Sequence, residues 1–187
     1  AIGSWQCSGD IGCMSFHETK NIGCGQGGAL FVKNLDLIDK VEALRDCGVS
    51  RNPKTGERYA WTDVGQSALM GWPCAEILWH RLQSLPEVTN HRRAVWRIYT
   101  ESILVADRAR KQGNGHIFWF MYNGDDRDAF IAELRARDVH ACSHYEAAHL
   151  CAPGENYGRE GSDLSVSEKV ASSIVRLPTD VSEERAR

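Results

Sequence analysis

The chain has 187 residues, 42% of them hydrophobic and 25% charged, with a formal net charge of −3. That length can bury a core as one domain or two small ones, and the composition is that of a globular protein. The slight negative charge gives no attraction to nucleic acid or an anionic membrane, no stretch approaches a membrane span, and the first residues lack the basic start and apolar run of a signal peptide.

Apolar runs at Ile11 to Phe16 and Ala29 to Val32 are short enough for buried strands and enclose a polar turn, with Gly27-Gly28 freeing the backbone to enter the second strand tightly. After Asn34 the spacing predicts an amphipathic helix with Asp36 near its start, Leu37, Ile38, Val41 and Leu44 on its apolar face, and Gly48 just past its end. Residues 48 to 66 read as a polar loop with its tip at Pro53 to Glu57, and a loop that long usually has a job. A helix opens near Gly71 and Pro73, turns Ile77, Leu78, Leu82 and Leu85 inward, and breaks at Pro86. The next helix places Val88, Val95, Ile98, Tyr99 and Ile103 at helical spacing, and its basic run of His91, Arg92, Arg93 and Arg97 reads as a solvated face. His116 to Tyr122 is strand-like, and Asn123-Gly124-Asp125-Asp126 turns the chain into a helix with Phe130, Ile131 and Leu134 on its inner stripe. Val139 to Ser143 can be another strand, which would complete a small α/β unit. A final helix begins around Ser165, which has capping-box spacing to Glu168, and ends before Leu177-Pro178; Ser182 to Arg187 reads as a charged, fraying tail.

Cysteines at 7, 13, 24, 47, 74, 142 and 151 form no Cys-x-x-Cys pair and read as free thiols of a reducing cytoplasm. His140, His144 and His149, near Cys142 and Cys151, lack the paired spacing of a structural zinc site, and no metal is expected. The stretch that carries chemistry is Ser15-Phe16-His17-Glu18-Thr19-Lys20-Asn21, followed by Gly23-Cys24-Gly25-Gln26-Gly27-Gly28. A lysine at a strand end beside flexible backbone suits a Schiff-base nucleophile, whose amine must be held near a carbonyl. Lysine is also the residue most often left solvated on a loop, so the chemistry of the residues alone leaves both readings open.

These residues resemble the lysine motif of the DegT/DnrJ/EryC1/StrS sugar aminotransferases. The likeness continues through Arg45 to Arg51, Tyr59 to Ser67, Asn114 to Phe118, His144-Tyr145 with His149, and Arg176-Leu177-Pro178, and it is similar to the branch that makes dTDP-4-amino-4,6-dideoxygalactose. The resemblance implies an α/β fold: the C-terminal portion of a type I aminotransferase fold dependent on pyridoxal 5′-phosphate. Residues 1–66 would be the last strands of the large-domain sheet with the lysine motif, 67–105 linking helices, and 106–187 a small C-terminal α/β domain. Lys20 would be the catalytic Schiff-base lysine. Ser15 and Ser67 would join it in cofactor binding, the latter reaching the phosphate in a neighbouring subunit. Arg51 and His144 would contact substrate.

The implied reaction is amino transfer, with glutamate as donor, to a 4-keto-6-deoxy sugar nucleotide such as dTDP-4-keto-6-deoxyglucose, in the cytoplasm. The partner would be a second copy or an N-terminal half, because the family's acidic partner of the pyridine nitrogen, its ring-stacking residue and its first phosphate-binding helix N-terminus precede the lysine strand. The chain departs from the family pattern at Gly71-Trp72-Pro73-Cys74-Ala75-Glu76 and at Glu146-Ala147-Ala148. The alternative is a truncated or decayed homologue that keeps fold and self-association without catalysis.

Overall fold

The computed structural model describes residues 2, 9–50, 60–103, 113–159 and 161–187. The chain divides into two compact units, Ala1–Val88 and Thr89–Arg187.

In the first unit, β1 (Ile11–Ser15) and β2 (Gly28–Val32) pair antiparallel with Ile11 opposite Val32 and Ser15 opposite Gly28. The expected strands are therefore present, but apart from Met14 they are not buried. Leu30 and Phe31 are adjacent, so they point to opposite faces of β2, and both are exposed. Asn34 caps the next turn by accepting from the Asp36 amide at 3.0 Å. A short 3-10 turn, Leu35–Leu37, leads into α1 (Ile38–Arg45).

Gly48 ends α1, as its position suggested. Its φ of +80° favours glycine, and a Cβ there would meet the Asp63 carbonyl oxygen at 1.9 Å. That close approach lets the returning chain bond to the end of α1, through Thr62 N to Gly48 O at 2.9 Å, Gln66 N to Leu44 O at 2.9 Å and Ala68 N to Arg45 O at 3.0 Å. Within the expected loop, β3 (Val49–Ser50) and β4 (Ala60–Trp61) form an antiparallel pair. The loop tip lies outside the described residues.

Helix α2 (Trp72–Gln83) starts with Pro73 in its first turn, where a missing N–H costs nothing. Its inner stripe differs from the expected one. Cys74 and Leu78, one helical turn apart, pack on the buried Met14, Phe16 and Cys24, while Ile77 is exposed together with Trp72 and Trp79. Pro86 opens α3 (Leu85–Ser102) as well as closing the helix before it.

The second unit is built on β5 (Phe118–Met121). It pairs antiparallel with β6 (Ile174–Leu177), Phe118 opposite Leu177. Strand β6 was not foreseen, whereas the expected strand at 139–143 reduces to one bridge between Cys142 and Arg176. Helix α4 (Arg127–Ala136) is capped by the Asp126 carboxylate, which accepts from Ala129 N at 2.8 Å, and Ile131 is buried with Phe130 and Leu134 beside it. After α5 (Ala152–Tyr157), α6 (Ser165–Ser173) begins without the capping box. Asp163 takes both the amide and the hydroxyl of Ser165, at 2.9 and 3.0 Å, so the hydroxyl is already committed as a donor.

Two expectations of solvation are overturned. The tail forms α7 (Glu183–Ala186), with Ala186 buried and Arg185 donating to the Asp138 carboxylate at 2.6 Å. Most of the basic run on α3 is engaged: Arg92 donates to Thr179 Oγ1 at 2.8 Å and His91 Nε2 to the Val181 carbonyl at 2.8 Å, holding the C-terminal segment, and Arg93 donates to the Gly113 carbonyl at 2.9 Å, while Arg97 is exposed as expected. Cations on a helix face bond carbonyls when another segment packs there, and no periodicity in α3 announces that segment.

Phe118 is fully buried at the centre of this core, 5.5 Å from Trp96 edge-on and 5.2 Å from Tyr99. Tyr99 donates to the Pro178 carbonyl at 2.8 Å, and burial pushes its phenol up to about 12. Phe118→Ala leaves a cavity among three elements and should destabilise the second unit by about 3–5 kcal/mol, read as a lowered denaturant midpoint of tryptophan fluorescence. Val166→Ala, at an exposed site, should change it by no more than about 0.5 kcal/mol. Equal effects would refute this assignment of the core.

Candidate active site

Residues 16–27 form a closed turn between β1 and β2. Phe16 N donates to Gly27 O at 2.8 Å, Cys24 N to Phe16 O at 2.8 Å, Glu18 N to Gly25 O at 3.1 Å, and Lys20 N to His17 O at 2.9 Å. Phe16, Ile22 and Cys24 are buried beneath it. At Gly23 the backbone passes so close to residue 17 that a Cβ would meet the His17 carbonyl oxygen at 2.5 Å. Helix α2 adds a clamp, Arg81 donating to the Gly23 carbonyl at 2.6 Å. Burial pushes the Cys24 thiol up, with Cys74 acting in the same direction and Arg81 against it.

His17 organises the exposed side of the turn. Its Nδ1 accepts from Thr19 N at 3.2 Å and lies 3.0 Å from Thr19 Oγ1, so Nδ1 carries no proton and the hydroxyl donates. Ser15 Oγ accepts from His17 N at 3.3 Å, which leaves the Ser15 hydroxyl proton uncommitted among the described residues. Lys20 is half-buried, and among the described residues no hydrogen bond or ion pair engages its ammonium. The turn therefore presents an amine and a hydroxyl proton on backbone fixed by four main-chain hydrogen bonds.

Ser67 belongs to the same unit. It is exposed and forms an isolated bridge with Asp46, which the chain's return along the end of α1 puts in place. Arg51 and Tyr59 lie outside the described residues. An apolar cleft of about 800 Å³ opens between the hairpin, α1 and residues 66–70, walled by Met14, Leu30, Val41, Leu69 and Met70. Ser15, Lys20 and Ser67 are not part of its wall.

His144 stands in the second unit. Arg176 donates to its Nδ1 at 2.7 Å, Cys142 Sγ lies 3.5 Å from the same nitrogen, and the ring stacks on Tyr145 at 4.6 Å. Desolvation lowers its pKa first, and the Arg176 and Arg135 cations lower it further. The imidazole is thus held neutral, with an acceptor nitrogen turned to a cation. Sequence reasoning did not single out Arg81 or Cys142. For Arg81 a signal existed, since it stands seven residues after Cys74, on the stripe that packs against the turn. For Cys142 there was none, because its partners are set by the bridge to β6. Among the described residues no group of three or more His, Cys, Asp or Glu could hold a metal ion, and no helix is long and apolar enough to cross a membrane.

The sequence pattern of the DegT/DnrJ/EryC1/StrS aminotransferase family matches residues 2–186. The chain is 29% identical over 182 residues to GDP-perosamine synthase of Vibrio cholerae, covering 91% of this chain and 48% of that protein. It is 26% identical over 179 residues to UDP-2-acetamido-2-deoxy-3-oxo-D-glucuronate aminotransferase of Pseudomonas aeruginosa, covering 90% of this chain and 46% of that one. Among solved structures it resembles the aminotransferase TlmJ from Streptoalloteichus hindustanus, with a TM-score of 0.79 and 26% identity over 100% of this chain and 50% of that chain. DesV of S. venezuelae has the same fold, with a TM-score of 0.80 and 23% identity over 99% of this chain and 50% of that chain. The chain spans about half the length of the relatives it matches.

The environment of His144 makes a prediction about pH. Its folded-state pKa lies below the ordinary value of about 6.5, so the unfolded chain binds the proton more readily. The stability it contributes is present above that ordinary value and is lost as pH falls through the folded pKa. An NMR titration should place its midpoint below the ordinary value, and Arg176→Gln should move it upward. A wild-type midpoint at or above the ordinary value would refute the cationic surroundings.

Proposed function

Since the chain belongs to the DegT/DnrJ/EryC1/StrS aminotransferase family, we propose that it is the lysine-bearing half of a sugar-nucleotide aminotransferase in which Lys20 takes the cofactor. The observation that carries this reading is the Lys20 ammonium, unengaged among the described residues on a turn fixed by its own backbone. The family's cofactor is pyridoxal phosphate, and the residues present fit it by their chemistry: a lysine amine, and five residues earlier a hydroxyl with its proton to spare. When bound, pyridoxal phosphate supplies the electron sink that lets an amino group leave one carbon and join another. This chain's own share is to hold, orient and move protons. The Ser15 hydroxyl donates to a phosphate oxygen, Ser67 offers a second exposed hydroxyl, and the Lys20 amine carries a proton to and from the reacting carbon. Arg51 and His144 contact the substrate.

The relatives' names, which include GDP-perosamine synthase and a UDP-sugar aminotransferase, support a keto sugar nucleotide as amino acceptor. Within that class we favour a 4-keto-6-deoxy sugar, with glutamate as donor. Partnership with the remaining half of the fold, or with a second copy, is supported by the apolar residues exposed on both faces of β2 and on α2. Such surfaces are covered in a complete α/β layer structure.

The test is direct. The chain mixed with pyridoxal phosphate and treated with borohydride should carry the added pyridoxyl mass on the peptide containing Lys20, and Lys20→Ala should abolish it. Ser15→Ala should raise the half-saturating cofactor concentration about tenfold, the worth of one hydrogen bond to a charged group at ~1.5 kcal/mol. Modification spread evenly over Lys33, Lys40 and Lys20, or absent from Lys20, would overturn the reading in favour of a homologue without catalysis.

A further inference from the structure

Cys142 takes no part in the chemistry above, yet its surroundings are unlike those of the other described cysteines. Its Sγ lies 3.5 Å from His144 Nδ1. The same nitrogen receives the Arg176 guanidinium at 2.7 Å. A guanidinium can only donate, so Nδ1 is the acceptor for Arg176, and the thiol and the guanidinium meet at one nitrogen. These groups are held on paired backbone. Cys142 N donates to Arg176 O at 3.1 Å and Arg176 N to Cys142 O at 2.8 Å, which fixes residue 142 beside β6. Arg135 donates to the neighbouring Ala141 carbonyl at 3.0 Å and adds a second cation. The Arg176 Nε is buried and has no hydrogen-bond partner among the described residues. A buried N–H left unmet on a cation is a donor that an anion would complete.

The other thiols lack this setting. Cys13 and Cys47 are more exposed than Cys142, but no imidazole or guanidinium is bonded to either among the described residues. Cys24 is buried and its thiol is pushed up. Cys151 donates a hydrogen bond to the Ala148 carbonyl at 2.9 Å.

We propose that Cys142, with Arg176 held beside it on His144 as counter-charge, is the preferred site of oxidation by peroxide among the described cysteines. The balance of the step is complete. The sulfur forms a bond to one peroxide oxygen as the O–O bond breaks, and the thiol proton is released to water. The departing hydroxide recovers the proton as water. Sulfur is oxidised by two electrons to a sulfenic acid, and the peroxide is reduced by the same two.

The test uses the full chain, hydrogen peroxide and a sulfenic-acid-trapping dione, with mass spectrometry of each cysteine peptide over time. Cys142 should be trapped about tenfold or more faster than Cys13 and Cys47, although exposure alone orders them the other way. His144→Gln and Arg176→Gln should each bring Cys142 down to the rate of those two. Trapping at Cys24 serves as the sign of a variant that has lost its fold, and the wild-type ordering decides the matter without any variant. Cys142 reacting no faster than Cys13 and Cys47 would overturn the proposal, as would a preference unchanged in both folded variants.

Discussion

The lysine turn depends on a close passage of backbone over backbone. Gly23 runs so near residue 17 that no side chain can stand between them, and the carbonyls of Phe16, His17, Gly25 and Gly27 are all consumed inside the turn. With these carbonyls bonded inside the turn, the segment leaves the ladder of β1 and β2 while part of its main chain stays paired. Buried Phe16, Ile22 and Cys24 anchor it from below, and Arg81 ties it to α2. The side chains that are left over are those of His17, Thr19, Lys20 and Ser15. A fixed support for polar side chains is what positional chemistry requires, because a reacting amine must be presented repeatedly at one place.

The second unit is organised by a different device, arginine and histidine side chains bonded to backbone carbonyls. Arg93 and His91 on α3, with Arg127 and Arg185, bond carbonyls far away in the sequence, Arg135 bonds the nearby Ala141 carbonyl, and Arg92 bonds the Thr179 hydroxyl. A guanidinium has five N–H groups in a planar fork and can satisfy the carbonyls of irregular segments that have no ladder partner. Around His144 the same kind of group has a chemical effect as well. Arg176 fixes which imidazole nitrogen bears a lone pair and holds the ring neutral.

Apolar exposure in the first unit carries a further meaning. Leu30 and Phe31 lie on opposite faces of one strand, and Trp72, Ile77 and Trp79 stand out on α2. A single exposed leucine is ordinary, whereas a hairpin apolar on both faces belongs to an interior layer. Together with a length about half that of its relatives, this supports the proposal that the unit packs against further protein. That is why the helix stripes read from sequence were displaced here: Ile77 satisfies a periodicity whose partner surface is not supplied by the described residues.

How much was legible follows from the range of the forces involved. Local signals held where the deciding interaction was local: the strands flanking the lysine turn, the stop at Gly48, Pro73 in the first turn of α2, and the Asp126 turn into α4. The family likeness carried by Ser15 to Gly28 fixed what kind of protein this is, because side-chain identities at close spacing record chemistry directly. Long-range choices were not legible. Whether 139–143 or 174–177 pairs with β5, whether the basic face of α3 meets water or carbonyls, and whether Ser182 to Arg187 frays or docks all depend on which segment arrives from dozens of residues away. The sequence by itself determined a lysine turn of an aminotransferase family between two short strands. Only the tertiary structure decided that its amine is left unengaged among the described residues, and that a thiol, an imidazole and a guanidinium meet at Cys142. The physical reason is that hydrogen-bond partnership and burial belong to pairs of segments, and no residue pattern within one segment encodes its partner.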